Sequence, residues 1–268
     1  MYSLHLHCLP GDVDQLSGEL WDEGTIGVRE IDLGEAVQLT AAFESNERRP
    51  FLLAHFAQHH PTWEYEDDID WVQHTKNSWP GRLVGQLFLA PPWCEDPTPA
   101  GRIRLIHTPG LASGTGDHPC TQMALEALES FVTAGDSVLD IGTGSGILAI
   151  AARLLGARAA VAADLDATAL EAAQENFRLN KLPATLIEGS ADCVRTGFAD
   201  LTVANISGTV LLSILDDLIR ATKPGGTLIL TGFPEEESAI FQSAGRCERV
   251  IATEEWRCVV GRTAEQNR

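Results

Sequence analysis

From Ser137 onward two patterns alternate, and that alternation leaves few folds open. The short apolar runs SVLDI, AAVAAD, ATLIEG, DLTVANI and GTLILTG are interleaved with ILAIAARLLG, ATALEAAQENFRLN and TVLLSILDDLIRAT. The short runs suit strands covered on both faces; the longer ones carry apolar residues at helical spacing. Strands alternating with helices predict an α/β architecture, a parallel sheet with helices on both sides. The stretch CERVIATEEWRCVVGRT reads as a closing antiparallel hairpin.

The beginning of the chain follows another rule. YSLHLHC alternates with period two, as a half-buried strand does. DVDQLSGELWDEG places Leu16, Leu20 and Trp21 at helical spacing after an Asp cap. TIGVREID and EAVQLTAAF suggest two strands around a Gly34 turn, Pro50–His59 a second helix, and TWEYE a last strand. The order βαββαβ predicts a small ferredoxin-like α+β domain over residues 1–66. The acidic, polar EDDIDWVQHTKNSWPG predicts a linker over 67–80. RLVGQLFLAPPW and RIRLIHT then lead, as strands, into a second domain over 81–268.

Composition narrows the function. No apolar run approaches the roughly 18–20 residues that span a bilayer. MYSLHLHCLPGD has neither the basic nor the apolar region of a signal peptide, so cytoplasmic residence is expected. The six cysteines show no metal-ligand spacing and read as reduced, small apolar fillers. His5 and His7 share a strand face without a third ligand, and no metal is expected. The formal net charge is −19, and Met1–Pro80 alone holds fifteen acids against four bases. Such a surface repels phosphate backbones and favours basic partners, although on charge alone plain solubility is the simpler account.

The candidate site is VLDIGTGSGILAIAA, Val138–Ala152, an apolar strand running into glycines and then a helix. Gly142, Gly144 and Gly146 are spaced G-x-G-x-G, off the G-x-G-x-x-G pattern of dinucleotide sites. Asp140 separates the ligands further. At about 4–6 Å and an effective dielectric near 20, a carboxylate repels a pyrophosphate charge by roughly 3–4 kcal/mol. S-adenosylmethionine carries an ammonium and a sulfonium instead, which the same carboxylate attracts. Capping of the following helix is the alternative role for Asp140. Asp164 ends AAVAAD and suits a pair of ribose hydroxyls, while Asp166 suits a helix cap.

DIGTGSG, AADLD and VANIS together resemble the class I S-adenosylmethionine-dependent methyltransferases, a Rossmann-like seven-stranded fold. HTPGLASGTGDHPCTQMALEAL resembles the segment DPGxAFGTGxHxTT of the PrmA family, methyltransferases of the eleventh large-subunit ribosomal protein. The chain keeps Pro109, Gly110, Ala112, Gly114, Thr115, Gly116, His118 and Thr121, and departs at Ser113, Asp117 and Cys120. APPW, ANIS and EEWRCVVGR are further points of likeness. The resemblance implies cofactor contacts at Thr121, Gly142, Asp164 and Asn205, beside Asp140, Gly144 and, near the adenine, Ser190. It implies N-methylation of lysine or N-terminal amines, with Asn205 orienting the acceptor amine and the acidic N-terminal domain docking a basic ribosomal protein. His118 reads as a helix-entry residue. Asn205-Ile206-Ser207 lacks the proline and aromatic that clamp a flipped base, which argues against direct nucleic-acid contact. A monomer acting away from membranes is expected. Two other readings stay open: a methyltransferase of another protein or a small molecule, and a non-catalytic cofactor-binding module.

Overall fold

Period-two spacing puts Leu4, Leu6 and Cys8 on one face of β1 (Tyr2–Cys8), and all three are buried. The computed structural model describes residues 2–34, 36–65, 81–108, 116 and 118–265, and the chain divides into two compact units, Met1–Ser78 and Trp79–Arg268. The expected linker 67–80 lies outside the described residues.

In the first unit, α1 (Val13–Asp22), β2 (Gly27–Asp32), β3 (Val37–Phe43), α2 (Arg49–His55) and β4 (Thr62–Tyr65) follow β1. The sheet order is β2-β3-β1-β4, every pairing antiparallel. That is the split βαβ arrangement of the ferredoxin-like fold. Leu16 and Leu20 of α1 and Leu52 of α2 join β1 and β3 residues in one core. Three local readings need correction. Trp21 is 56% exposed, one position off the buried stripe. Asp12 stands at the N-cap of α1 but its side chain makes no cap bond. A 3-10 turn, Pro10–Asp12, holds its backbone helical (φ −101, ψ −4), where a capping side chain needs extended backbone. The second helix ends at His55, and a 3-10 turn covers Ala57–His59.

The second unit opens with β5 (Arg82–Val84), β6 (Leu87–Ala90) and β7 (Ile103–Ile106), a separate three-stranded sheet. Then come α3 (Pro119–Phe131), β8 (Ser137–Ile141), α4 (Ile147–Leu154), β9 (Ala159–Asp164), α5 (Ala167–Leu179), β10 (Leu186–Glu188) and β11 (Ala199–Asn205). They are followed by α6 (Gly208–Ala221), β12 (Thr222–Pro234), α7 (Glu235–Gln242), β13 (Arg246–Ala252) and β14 (Trp256–Arg262). The order β10-β9-β8-β11-β12-β14-β13 forms a seven-stranded sheet, parallel except for β14, which runs antiparallel to both neighbours. This is the Rossmann-like class I methyltransferase topology expected from the sequence.

Alternate strand residues face opposite cores. Val138, Ala162, Val203 and Ile229 pack with α3 and α4, and Leu139, Ala163, Ala204 and Leu230 with α6 and α7. The strand order reverses between β8 and β11, so their carboxyl ends open a crevice where ligands bind in such sheets. Cys8, Cys120 and Cys258 are buried as expected of fillers. Cys193, in a turn, and Cys247, on the edge strand β13, are exposed. Among the described residues no helix is long and apolar enough to cross a membrane.

Candidate functional site

The glycine turn after β8 is stitched to β9: the N–H groups of Gly142 and Thr143 both donate to the Ala163 carbonyl, at 2.9 and 3.0 Å. Gly142, Gly144 and Gly146 hold φ of 69, 52 and 81, a left-handed path that side chains resist. Asp140 is fully buried beneath this turn. Its Oδ2 accepts from the Thr143 hydroxyl at 2.6 Å and from the Ala149 N–H at 3.1 Å. Ala149 lies in the first turn of α4, whose N-cap is Gly146 with no side chain to offer. Asp140 therefore caps α4 from the preceding strand.

That is only half of its carboxylate. Oδ1 is buried without a partner among the described residues. Burial, helped by the nearby Asp164, pushes this carboxyl up to about 7, while its two hydrogen bonds pull the other way. A buried, unpaired carboxylate oxygen is costly, and a cation brought to it relieves that cost. A phosphate would raise it further. The residues present thus fit the ammonium and sulfonium of S-adenosylmethionine and oppose a pyrophosphate.

Asp164 ends β9, half-buried. Its Oδ2 accepts from the Gly144 N–H at 2.9 Å and its Oδ1 from the Asp166 N–H at 3.1 Å. Each oxygen keeps a lone pair, so the carboxylate is oriented yet able to accept hydroxyls. Leu165 beside it is 76% exposed. The Gly189 N–H donates to the Asp164 carbonyl at 2.9 Å, bringing the β10 end and the half-buried Ser190 to the same edge. Asp166 caps α5, accepting from the Thr168 N–H at 2.8 Å, as its sequence context suggested.

Asn205 ends β11, and its Nδ2 donates to Thr121 Oγ1 at 3.1 Å. Thr121 is buried in the first turn of α3. His118 caps that helix, Nδ1 accepting from the Cys120 N–H at 3.2 Å, and its ring meets Trp256 edge-on with centroids 5.0 Å apart. Of the family-like segment, Gly116, His118 and Thr121 are described, and Pro109, Gly110, Ala112, Ser113, Gly114, Thr115 and Asp117 lie outside the described residues.

Sequence reasoning missed two supports of this edge. Ile206 is wedged between two glycines: a Cβ on Gly142 would lie 2.3 Å from Ile206 Cγ2, and one on Gly232 (φ 105) 2.2 Å from the Ile206 carbonyl oxygen. Gly232 sits where the β12–β14 register shifts. Asn176, on α5, is buried and ties the Ser145 carbonyl to the Thr108 N–H. The available signal was an N-F-R-L-N spacing in a helix, because asparagine is a weak helix former and needs another reason to be there. Among the described residues no His, Cys, Asp or Glu cluster could hold a metal.

The family model described as ribosomal protein L11 methyltransferase (PrmA) matches residues 16–264. A ribosomal protein L11 methyltransferase from Streptococcus pyogenes serotype M3 is 37% identical over 199 residues, 71% of this chain and 63% of that protein. Its counterpart from Listeria innocua is 37% identical over 183 residues, 66% of this chain and 58% of that protein. The chain thus matches about three-fifths of the length of these relatives. The crystal structure of a ribosomal protein L11 methylase from Lactobacillus delbrueckii subsp. bulgaricus superposes with a TM-score of 0.63 at 29% identity, covering 69% of this chain and 98% of that one. With a family match that runs through nearly all of both units, this chain belongs to the ribosomal protein L11 methyltransferase family.

Proposed function

We propose that the protein transfers a methyl group from S-adenosylmethionine to amines, lysine or N-terminal, of a large-subunit ribosomal protein. The observation that carries this reading is the Asn205–Thr121 hydrogen bond at the sheet's switch point, beside a glycine turn underlain by the orphaned Asp140 oxygen. Asp164 would hold the ribose hydroxyls. Asp140, the Gly142–Gly144 backbone and Thr121 would hold the methionine end, and Ser190 with the exposed Leu165 would line the adenine.

When bound, the cofactor supplies a methyl group on a sulfonium, an electrophile whose leaving group is a neutral thioether. The chain's own task is alignment, which can supply several kcal/mol. With one Nδ2 hydrogen given to Thr121 and the amide so oriented, Asn205 would use Oδ1 to accept an amine N–H and turn the nitrogen lone pair toward the methyl. The acceptor must first be neutral, and a free lysine with a pKa near 10.4 is almost wholly charged at pH 7. Desolvation beside a positive sulfonium favours the neutral form. The acidic N-terminal domain expected over residues 1–66 would dock the basic substrate. On this reading the protein works as a cytoplasmic monomer on a free ribosomal protein, without contacting nucleic acid or membrane.

Labelled-methyl transfer to purified large-subunit ribosomal protein, then to whole lysate, tests the reading, with mass spectrometry of the product. Label on lysine or the N-terminus of that ribosomal protein supports it. Label confined to another protein or a small molecule overturns the substrate, and cofactor binding with no transfer overturns catalysis.

A further inference from the structure

An asparagine that is 2% exposed in the last turn of a helix must satisfy a whole primary amide inside the protein. Asn176 does so with two segments far apart in the chain. Its Nδ2 donates to the Ser145 carbonyl at 2.8 Å, and its Oδ1 accepts from the Thr108 N–H at 3.0 Å. One helical turn on, Asn180 accepts from the Ile106 N–H at 2.8 Å and donates to the Ile106 carbonyl at 2.6 Å. The two asparagines engage Ile106–Thr108 much as a neighbouring strand would.

The two ends of Asn176 matter for where they land. Ser145 lies within the glycine turn, next to Gly144, whose N–H is held by Asp164. Thr108 lies two residues beyond the end of β7. We propose that Asn176 is a positioning residue of the cofactor pocket, fixing the glycine turn and the 106–108 segment in one register. Asn180, the C-cap of α5, holds the same segment and donates to the Asn176 carbonyl at 2.8 Å, but makes no bond to the glycine turn. The inference rests on the cofactor reading above.

The two asparagines make a matched comparison. Asn176→Leu, Asn176→Asp and Asn180→Leu are assayed in the full chain. The readouts are the Kd for S-adenosylmethionine and S-adenosylhomocysteine by calorimetry, the KM for cofactor and for acceptor, and the melting temperature. Asn176→Leu is expected to raise both Kd values and the cofactor KM about tenfold, the scale of one lost buried hydrogen bond. Acceptor KM and kcat at saturating cofactor should stay within about twofold. Asn180→Leu should lower the melting temperature comparably and leave both Kd values near wild type. Asn176→Asp keeps an acceptor for Thr108 but opposes a carboxylate to the Ser145 carbonyl, so it should weaken cofactor and spare Thr108 amide protection from exchange. It also carries the test if Asn176→Leu does not fold. Kd losses that simply track melting temperature at both positions overturn the proposal. A wild-type protein that binds neither ligand overturns the cofactor reading instead.

Discussion

The Asn205 amide donates to the Thr121 hydroxyl across 84 positions of chain, at 3.1 Å, joining the end of β11 to the first turn of α3. If this bond sets the amide's rotamer for the acceptor amine, the two residues act as a unit. Asn205→Ala should lower kcat about 100-fold, the scale of an acceptor misplaced by an ångström. Thr121→Val should cost less, because the amide remains but swings. The double variant should be little worse than Asn205→Ala, with a coupling of about 0.5–3 kcal/mol in a double-mutant cycle. Strictly additive losses would mean that the two side chains serve separate ends.

Asp164 binds the turn as well as the expected ribose, so its substitutions should separate those jobs. Asp164→Ala removes both and should weaken S-adenosylmethionine binding by about 1–3 kcal/mol. Asp164→Asn retains a carbonyl oxygen for the Gly144 N–H and should recover part of that loss. Calorimetry with the cofactor reads both, and unchanged affinity in Asp164→Ala would remove this residue from the site.

The parts of the fold that were legible in the sequence are those whose signal is local. β8 and β9 run Ser137–Ile141 and Ala159–Asp164, the residues read as SVLDI and AAVAAD, because each is a short, mainly apolar run with an acid at or next to its end. The N-terminal element order was equally plain from period-two spacing. Helix α7 was not, since FPEEESAIFQ offers three successive acids and little apolar stripe. β12 outran GTLILTG at both ends, Thr222–Pro234: Thr222 pairs with Ala199 of β11 at one end, and at the other the register shift beside Gly232 lets pairing with β14 continue. At the site, Asp164 and Asn205 stood out as polar ends of apolar strands. Asn176 and Ile206 did not, because their partners are fixed only by tertiary packing. The capping half of Asp140 belongs with them: a buried strand acid reaching over to Ala149 depends on how the turn folds.

Two buried groups should give opposite pH slopes to the ligand-free protein. Burial raises the Asp140 carboxyl to about 7, above its unfolded value of 3.8. Its contribution to stability is therefore full below about pH 4 and is lost as pH rises through 7. Burial lowers His107 to about 4, below its unfolded value of 6.5. Its contribution is full above about pH 6.5 and is lost as pH falls toward 4. Each slope approaches about 1.4 kcal/mol per pH unit, so between about pH 4 and 6.5 they oppose one another. Asp140→Asn should gain stability relative to wild type as pH rises from 4 to 7, and His107→Leu should gain it as pH falls from 6.5 to 4. Urea midpoints across that range read both differences. Parallel profiles in all three proteins would show that neither group titrates as its burial demands.

The wedge at Ile206 predicts a size dependence that reaches from the glycine turn to the Asn205 end of β11. Gly142→Ala puts a methyl 2.3 Å from Ile206 Cγ2 and also forces alanine to φ 69. The left-handed backbone alone costs about 1–2 kcal/mol, and no change at Ile206 removes it. The collision is different: it displaces Ile206, which follows Asn205 directly, so Gly142→Ala should lower turnover as well as cofactor affinity. Adding Ile206→Ala clears the space that the new methyl needs. The double variant should regain turnover relative to Gly142→Ala while staying less stable than wild type, because the φ strain persists. Steady-state kinetics at saturating cofactor, paired with melting temperatures, distinguishes the two parts. If Ile206→Ala restores no turnover, then the glycine is required by its backbone conformation alone, and contact between the two loops does not transmit the defect.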